Sequence, residues 1–324
     1  MKSTLAFLRR IGLPFAVAFI AFGIASCGKE GSGNGEVRRD SGKIMVVTTT
    51  TMITDLVRKI AGDSLDIQPL MGPGVDPHLY KPTPEDMSKL SKCQVVVYVG
   101  LHLEGRMVEV FKHLNDLDKL TIALGEQLPQ SELIRAKGTD IDPHVWGDAK
   151  LWAQTVNPLV AVLSKAMPSR KEEFERNGRE AQKELIATHE WLKHRAEELL
   201  RKDRILVTSH DAFRYFGRAY GFEVVGVQGI STDSEAGFND IAKIVDLIKE
   251  KKVKAVFIES SVPPATINTI SKSSGAQIGG ELLSDACGLP GEMVDVGGGE
   301  KVDRGTLIGM LKSDMHIVVT ALKP

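Results

Sequence analysis

Residues 169–203 read SRKEEFERNGREAQKELIATHEWLKHRAEELLRKD, a stretch without proline and with one glycine, Gly178. Its large apolar residues recur at helical spacing: Phe174, Leu185, Leu192 and Leu199. The segment from Pro168 to Asp203 therefore predicts one long helix, about 50 Å in length at about 1.5 Å per residue. Two helices broken near Gly178 are the alternative.

On both sides of this stretch, short apolar strands alternate with helical patterns. Residues 44–61 read as a strand and then a helix, and residues 204–220 repeat that order. Such alternation favours parallel sheets covered by helices. We predict an α/β protein with two Rossmann-like lobes of parallel sheet and helices, residues 44–167 and 204–324, joined by the rigid helix over residues 168–203.

Two local signals refine this prediction. Thr83 before Pro84 predicts a helix that has Thr83 as its N-cap and extends to about Leu90. Residues 288–302 are rich in glycine, and the run at residues 297–299 is followed by charged residues rather than by a phosphate-binding helix turn. We expect residues 288–302 to form a loop.

The first 27 residues have the parts of a secretory signal. A basic start without acidic residues precedes an apolar run over residues 11–24, which is shorter than the about 20 residues that span a membrane. The following IASC, residues 24–27, resembles the bacterial lipobox, so we predict that Cys27 carries a lipid. An ordinary signal peptide with an incidental cysteine is the alternative.

A glycine-rich, charged segment follows the signal. Residues 28–42, GKEGSGNGEVRRDSG, contain one apolar residue, Val37, and cannot build a core. We predict a flexible tether over residues 28–43. The protein is then exported and lipid-anchored to a membrane through Cys27, and it faces the periplasm or the cell exterior.

Composition excludes some classes of function. The 324 residues include 41 basic and 42 acidic side chains. Because no basic stripe occurs, nucleic-acid binding has no support. Aromatic residues make up 6%, so recognition of carbohydrate by stacking has little support. After Cys27 only Cys93 and Cys287 remain, and two buried free thiols are favoured over a disulfide.

The tripeptide Asp-Pro-His occurs twice, at residues 76–78 and 142–144. By chance, a chain of this length and composition would contain about 0.02 copies of this tripeptide. Proline fixes its own φ and keeps the preceding residue extended, so each His is presented from a stiff backbone. Each copy lies on a loop of an α/β unit, where such folds bind ligands. We therefore predict that His78 and His144 bind a metal ion.

Two further candidates follow strands of the second lobe, His210 in SHDAF and Asp285 in LSDA. Together with the two Asp-Pro-His histidines they offer three imidazoles and one carboxylate, a four-ligand shell typical of Zn²⁺. Successive candidates are 66, 66 and 75 residues apart. A site assembled from such distant loops is expected between the lobes.

Several long stretches carry a family resemblance: GPGVDPHLYKPTPEDMSKL, GLHLEGRM, IDPHVWGD, TSHDAFRYFGRAYGF, VQGISTDSE, FIESSVP and GGELLSDA. These stretches match the metal-binding lipoproteins that serve ABC transporters for zinc and manganese, the TroA-like solute-binding family. The resemblance covers nearly the whole chain beyond residue 43. The resemblance implies two α/β lobes joined by one rigid helix. It places the metal ligands at His78, His144, His210 and Asp285.

The resemblance also implies a function. It implies a monomeric, high-affinity binding protein, not an enzyme, that delivers its ion to an ABC permease and its ATPase. In manganese-selective relatives the third ligand is usually Glu; here it is His210, and imidazole suits zinc. Because relatives with the same three histidines have also been linked to manganese, we expect Zn²⁺ with Mn²⁺ as the alternative. The His-rich loop of many zinc-binding members is absent, since residues 115–141 contain no His.

Two other residues are candidates for supporting roles. Glu259 ends a strand and is expected to hold a ligand imidazole from behind. His102 follows a strand and is expected beside the site or at its entrance. The rival functions are a zinc-dependent hydrolase with the same ligands and a surface adhesin. A hydrolase needs an open coordination position for water, which four protein ligands do not leave.

Overall fold

The computed structural model describes residues 43–116, 119–135 and 140–323. The predicted signal with its lipid-bearing Cys27, and all but the last residue of the tether, lie outside these ranges. Within the described ranges, no helix combines the length and the apolar character needed to cross a membrane. Cys93 and Cys287 are both buried and unpaired, as predicted.

The first lobe is built from short strands and helices. The strands are β1 (Met45–Thr48), β2 (Asp66–Pro69), β3 (Val95–Tyr98) and β4 (Leu120–Ala123). The helices are α1 (Thr51–Ala61), α2 (Pro84–Lys92), α3 (Val108–Asp116), α4 (Ala149–Trp152) and α5 (Val156–Ala166). The strands form one parallel sheet in the order β2-β1-β3-β4, so their carboxyl ends meet at one edge.

Helix α2 begins where the sequence predicts. The Thr83 hydroxyl accepts a hydrogen bond from the Asp86 backbone N–H at 3.2 Å, and the Asp86 carboxylate accepts one from the Thr83 N–H at 2.8 Å. Pro84 occupies the first helical position. This reciprocal capping satisfies two backbone donors that the first turn leaves free.

The long helix α6 is Lys171–Ala196, preceded by a 3₁₀ turn over residues 168–170. It passes Gly178 without a break, so the alternative of two helices does not hold. The helix nevertheless ends earlier than predicted, and its 26 residues correspond to about 39 Å.

The early end of α6 has a local cause. The Arg204 guanidinium donates hydrogen bonds from Nε and Nη2 to the Leu199 carbonyl, both at 3.0 Å. It also donates to the Tyr220 carbonyl at 3.3 Å. These contacts lie just beyond the helix: the Leu199 backbone N–H already bonds to the Ala196 carbonyl at 3.1 Å, a three-residue spacing, and Leu200 is extended. The side chain of Arg204 thus satisfies the Leu199 carbonyl without a further helical turn.

The second lobe repeats the α/β alternation. Its parallel strands are β5 (Ile205–Thr208), β6 (Glu223–Gly226), β7 (Ala255–Glu259) and β8 (Gln277–Leu282). Its helices are α7 (Arg214–Tyr220), α8 (Phe238–Lys251), α9 (Ala265–Ser274) and α10 (Leu307–Leu322). Strand β5 pairs with β6, β7 pairs with β8, and β5 lies beside β7. The predicted α/β fold of two lobes and a long helix is confirmed.

The prediction of a loop over residues 288–302 is wrong in part. Strand β9 (Met293–Asp295) lies within it and pairs antiparallel with β10 (Lys301–Asp303), which ends one residue beyond it. The glycines at residues 297–299 all have positive φ and form the turn between them. Strands of three residues are too short for an alternating pattern to show in the sequence.

Candidate metal centre

The four predicted ligands come together: His210 and Asp285 follow the carboxyl ends of β5 and β8, and His78 and His144 lie on loops of the first lobe. One ligand atom from each of His78, His144, His210 and Asp285 lies within 4.8 Å of the others. The four side chains are buried, with exposed fractions of 4%, 0%, 0% and 1%. Two come from each lobe, as expected from their spacing in the sequence.

The distances between ligand atoms suit a small tetrahedral ion. His144 Nε2 lies 3.3 Å from His78 Nε2 and 3.4 Å from His210 Nε2. The two oxygens of Asp285 lie 3.4 Å from His144 Nε2 and 3.3 Å from His210 Nε2. In a tetrahedron with zinc–ligand bonds of about 2.0–2.2 Å, ligand atoms are about 3.3–3.6 Å apart. These four distances fall within the range expected around a zinc ion.

The aspartate of each Asp-Pro-His tripeptide holds the histidine that follows it. Asp76 Oδ1 accepts the His78 backbone N–H at 2.8 Å, and Asp142 Oδ1 accepts the His144 N–H at 3.0 Å. Asp142 Oδ1 also lies 2.8 Å from His144 Nδ1. Sequence reasoning credited the stiffness of proline and missed both aspartates. The signal was present, since an aspartate precedes both His78 and His144 by two positions.

Glu259, at the end of β7, lies directly behind His210. Its Oε1 accepts the His210 backbone N–H at 2.9 Å, and its Oε2 lies 2.6 Å from His210 Nδ1. A carboxylate in this position leaves Nε2 to face the centre and makes the imidazole a more basic ligand. The structure thus places Glu259 where its predicted supporting role requires it.

Hydroxyl groups and an indole complete the wall around Asp285. Asp285 Oδ2 accepts hydrogen bonds from the Ser261 hydroxyl at 3.1 Å and from the Ser284 hydroxyl at 3.4 Å. The Trp146 indole donates to the Ser284 carbonyl at 2.9 Å, and its ring centroid lies 5.4 Å from that of His144. Large buried side chains of this kind keep water away from the centre.

His102 lies elsewhere, on the surface of the first lobe. It lines a cavity of about 230 Å³ together with Tyr98, Phe111 and Lys112. Among the described residues that line this cavity, none belongs to the group of four. The role predicted for His102 beside the metal centre remains a prediction.

The carboxylates around the centre set its electrostatics. Burial lowers the pKa of His144, but Asp142 and Asp285 outweigh it and raise that pKa to about 9. Burial also lowers the pKa of His210, but Glu259 and Asp285 outweigh this effect and raise that pKa well above its ordinary value. Although burial raises the pKa of Asp285, the two imidazoles hold it well below its usual range. Three buried carboxylates around imidazoles favour a positive charge at the centre.

The chain is similar to known metal-binding proteins along nearly its whole described length. The sequence model of the family described as zinc-uptake complex component A, periplasmic, matches residues 46–321. The manganese-binding lipoprotein MntA of Bacillus subtilis (strain 168) is 40% identical over 320 residues, which cover 97% of this chain and 100% of the relative. The zinc-binding protein TroA of Treponema pallidum (strain Nichols) is 41% identical over 286 residues, covering 87% and 89%.

The solved structure of one of these relatives is also similar to this chain in three dimensions. The solved structure of the periplasmic zinc binding protein TroA from Treponema pallidum superposes with a TM-score of 0.82 at 40% sequence identity. The match covers 87% of this chain and 100% of that chain. At this level of similarity, the two-lobe fold is shared.

Proposed function

Because the chain belongs to the family of periplasmic zinc-uptake complex component A proteins, we propose that it captures a divalent metal ion outside the cytoplasm and delivers it to an ABC permease and its ATPase. The ion is cargo, and the protein performs no reaction on it. The names of MntA and TroA, a manganese-binding lipoprotein and a zinc-binding protein, support this proposal.

One observation carries the proposal: four buried ligand atoms, two from each lobe, lie within 4.8 Å of one another. We propose His78, His144, His210 and Asp285 as the ligands. The carboxylates behind His144 and His210 support this assignment, since metal-binding imidazoles are usually oriented in this way.

Zinc is the proposed ion. Three imidazoles and one carboxylate suit zinc better than manganese, which prefers oxygen ligands. Manganese is the second candidate, because the similar MntA is named as a manganese-binding protein. A zinc-dependent hydrolase is not favoured, since four protein ligands fill a tetrahedral shell and leave no position for a water nucleophile. No observation supports the adhesin hypothesis.

We also propose that a lipid on Cys27 anchors the protein as a monomer to the membrane, on its periplasmic or outer side. The MntA relative, which is named as a lipoprotein, aligns with 97% of this chain. An anchor with a glycine-rich tether would keep the metal-binding body close to the permease and limit how far a captured ion diffuses.

Competitive titration of the full chain with zinc and manganese tests this function. We expect one zinc per chain, bound more tightly than manganese, with a fluorescence change from Trp146 beside His144. His210→Ala should weaken zinc binding by more than about a hundredfold, because it removes a ligand and leaves Glu259 unpaired.

The control is His194→Ala, since the His194 side chain is 89% exposed on α6. Its zinc affinity should equal that of the unchanged chain. Equal zinc binding by His210→Ala and His194→Ala would contradict the proposed site. Hydrolysis of ester, amide or phosphate substrates that His78→Ala abolishes would favour the hydrolase instead.

A further inference from the structure

A loop of the second lobe contacts the loop that carries His78. This loop, residues 227–237, connects β6 to α8. The Thr232 hydroxyl donates a hydrogen bond of 2.6 Å to Asp76 Oδ2. The other oxygen of Asp76 accepts the His78 backbone N–H at 2.8 Å. One carboxylate therefore joins a loop of the second lobe to a proposed ligand of the first.

His78 differs from the other two histidines in how it is held. The rings of His144 and His210 each have a carboxylate against Nδ1, from Asp142 and Glu259. His78 is instead held through its backbone N–H, which donates a hydrogen bond to Asp76 Oδ1. His78 also has the largest exposed fraction of the four proposed ligands, 4% against at most 1%. Its position therefore depends most directly on Asp76.

A second polar contact joins the loop over residues 227–237 to another part of the first lobe but contributes less. Arg106 Nη2 lies 3.1 Å from Asp233 Oδ1, and the two side chains are 40% and 55% exposed. Ion pairs with this exposure contribute little, because water screens them. A short hydrogen bond to a partly buried carboxylate contributes more. Of these two contacts, the one from Thr232 is expected to dominate.

We propose that Thr232 is a positioning residue for metal exchange: its hydroxyl holds Asp76, and through Asp76 the ligand His78, so that the ion leaves when this hydrogen bond breaks. The inference rests on the proposed function, since it assumes that the ion binds between the four residues. A partner that displaced the loop over residues 227–237 would weaken the metal site without touching a ligand.

Zinc release from the full chain tests this role. The zinc-loaded protein is mixed with excess EDTA, and release is followed by tryptophan fluorescence. Thr232→Val keeps the shape of the side chain but lacks the hydroxyl, and should release zinc about tenfold faster. Thr232→Ser keeps the hydroxyl and should stay within about twofold of the unchanged chain. A merely structural role for the loop would not predict this rescue.

Asp233→Asn is the matched control, because it weakens the exposed ion pair in the same loop. Its release rate should change by less than about twofold. If Thr232→Val lowers the melting temperature of the metal-free protein, Thr232→Ala provides a second variant without the hydroxyl, with the same expected acceleration.

Three results would overturn the proposal. The first is an unchanged release rate in both variants without the hydroxyl. The second is equal acceleration by Asp233→Asn, and the third is equal acceleration by Thr232→Ser. In each case the unchanged chain would still bind one zinc, so the proposed function would stand. Failure of the unchanged chain to bind zinc or manganese would overturn the proposed function and this role together.

Discussion

At the residue scale, carboxylates behind the imidazoles decide how the metal centre is arranged. Asp142 lies 2.8 Å from Nδ1 of His144, and Glu259 lies 2.6 Å from Nδ1 of His210. Each pair fixes which ring nitrogen faces the centre, because the other nitrogen is already engaged. The rings are therefore oriented for an ion by contacts within the protein.

This arrangement predicts the effect of Glu259→Gln. The substitution keeps the size of the side chain but removes the charge behind His210, and zinc affinity should fall by about 10- to 100-fold. Competition with a chelator of known affinity measures the change. The control is Glu281→Gln, because Glu281 is exposed on the neighbouring strand β8. Equal affinities for the two variants would show that the Glu259 charge does not act on the metal.

At the scale of elements, the close approach of α6 to α5 depends on Gly178. A Cβ at this position would lie 2.6 Å from Val160 Cγ2 and 3.3 Å from Val156 Cγ1. Both neighbours are β-branched valines with restricted rotamers. The glycine that suggested a helix break in the sequence therefore serves helix packing in the structure.

Gly178→Ala should consequently destabilise the protein. In an exposed helix this change stabilises by up to about 1 kcal/mol, but here overpacking against α5 should lower the free energy of unfolding by about 1–3 kcal/mol. Denaturant unfolding of the metal-free chain measures it. Arg179→Ala, at the exposed neighbouring position, should change stability by less than about 0.5 kcal/mol. A Gly178→Ala variant as stable as the unchanged chain would contradict this packing argument.

At the scale of the whole molecule, contacts beyond the long helix hold the lobes together. Helix α6 packs against α1 and α5 of the first lobe and α10 of the second. The Cys287 backbone N–H donates to the Thr51 hydroxyl at 2.7 Å, and the Leu307 N–H donates to Asp55 Oδ2 at 3.0 Å. Both hydrogen bonds join the second lobe to α1, so the lobes have little freedom to rotate.

Metal binding should therefore leave the overall shape nearly unchanged. We expect the radius of gyration from small-angle X-ray scattering to change by less than about 1 Å on addition of zinc, unlike the closure of hinged binding proteins. Rearrangement should instead be local, within the loops that carry the four proposed ligands. His210→Ala with the same zinc concentration provides the reference for an unligated centre. A wide closure of the lobes in the unchanged chain would contradict this prediction.

Several predictions from the sequence were correct because their signals are local. The Thr83-Pro84 helix start follows from the chemistry of neighbouring residues. The alternation of strands and helices follows from periodicity within a few residues. The carboxyl end of α6 was placed too late: the helix ends at Ala196, and Arg204 binds the carbonyl of Leu199, three residues further on, where the backbone has already left the helix. Helical periodicity does not report such a contact.

The sequence by itself determined the α/β class and the candidate ligand set, because residue type, proline stiffness and strand ends are local properties. Only the tertiary structure showed that Asp76 and Asp142 support the histidines that follow them, and it placed His102 on the surface. The hydrogen bond between Asp76 and Thr232 joins residues 156 positions apart. No periodicity or motif spans that distance, because the two residues meet only when the lobes fold against each other.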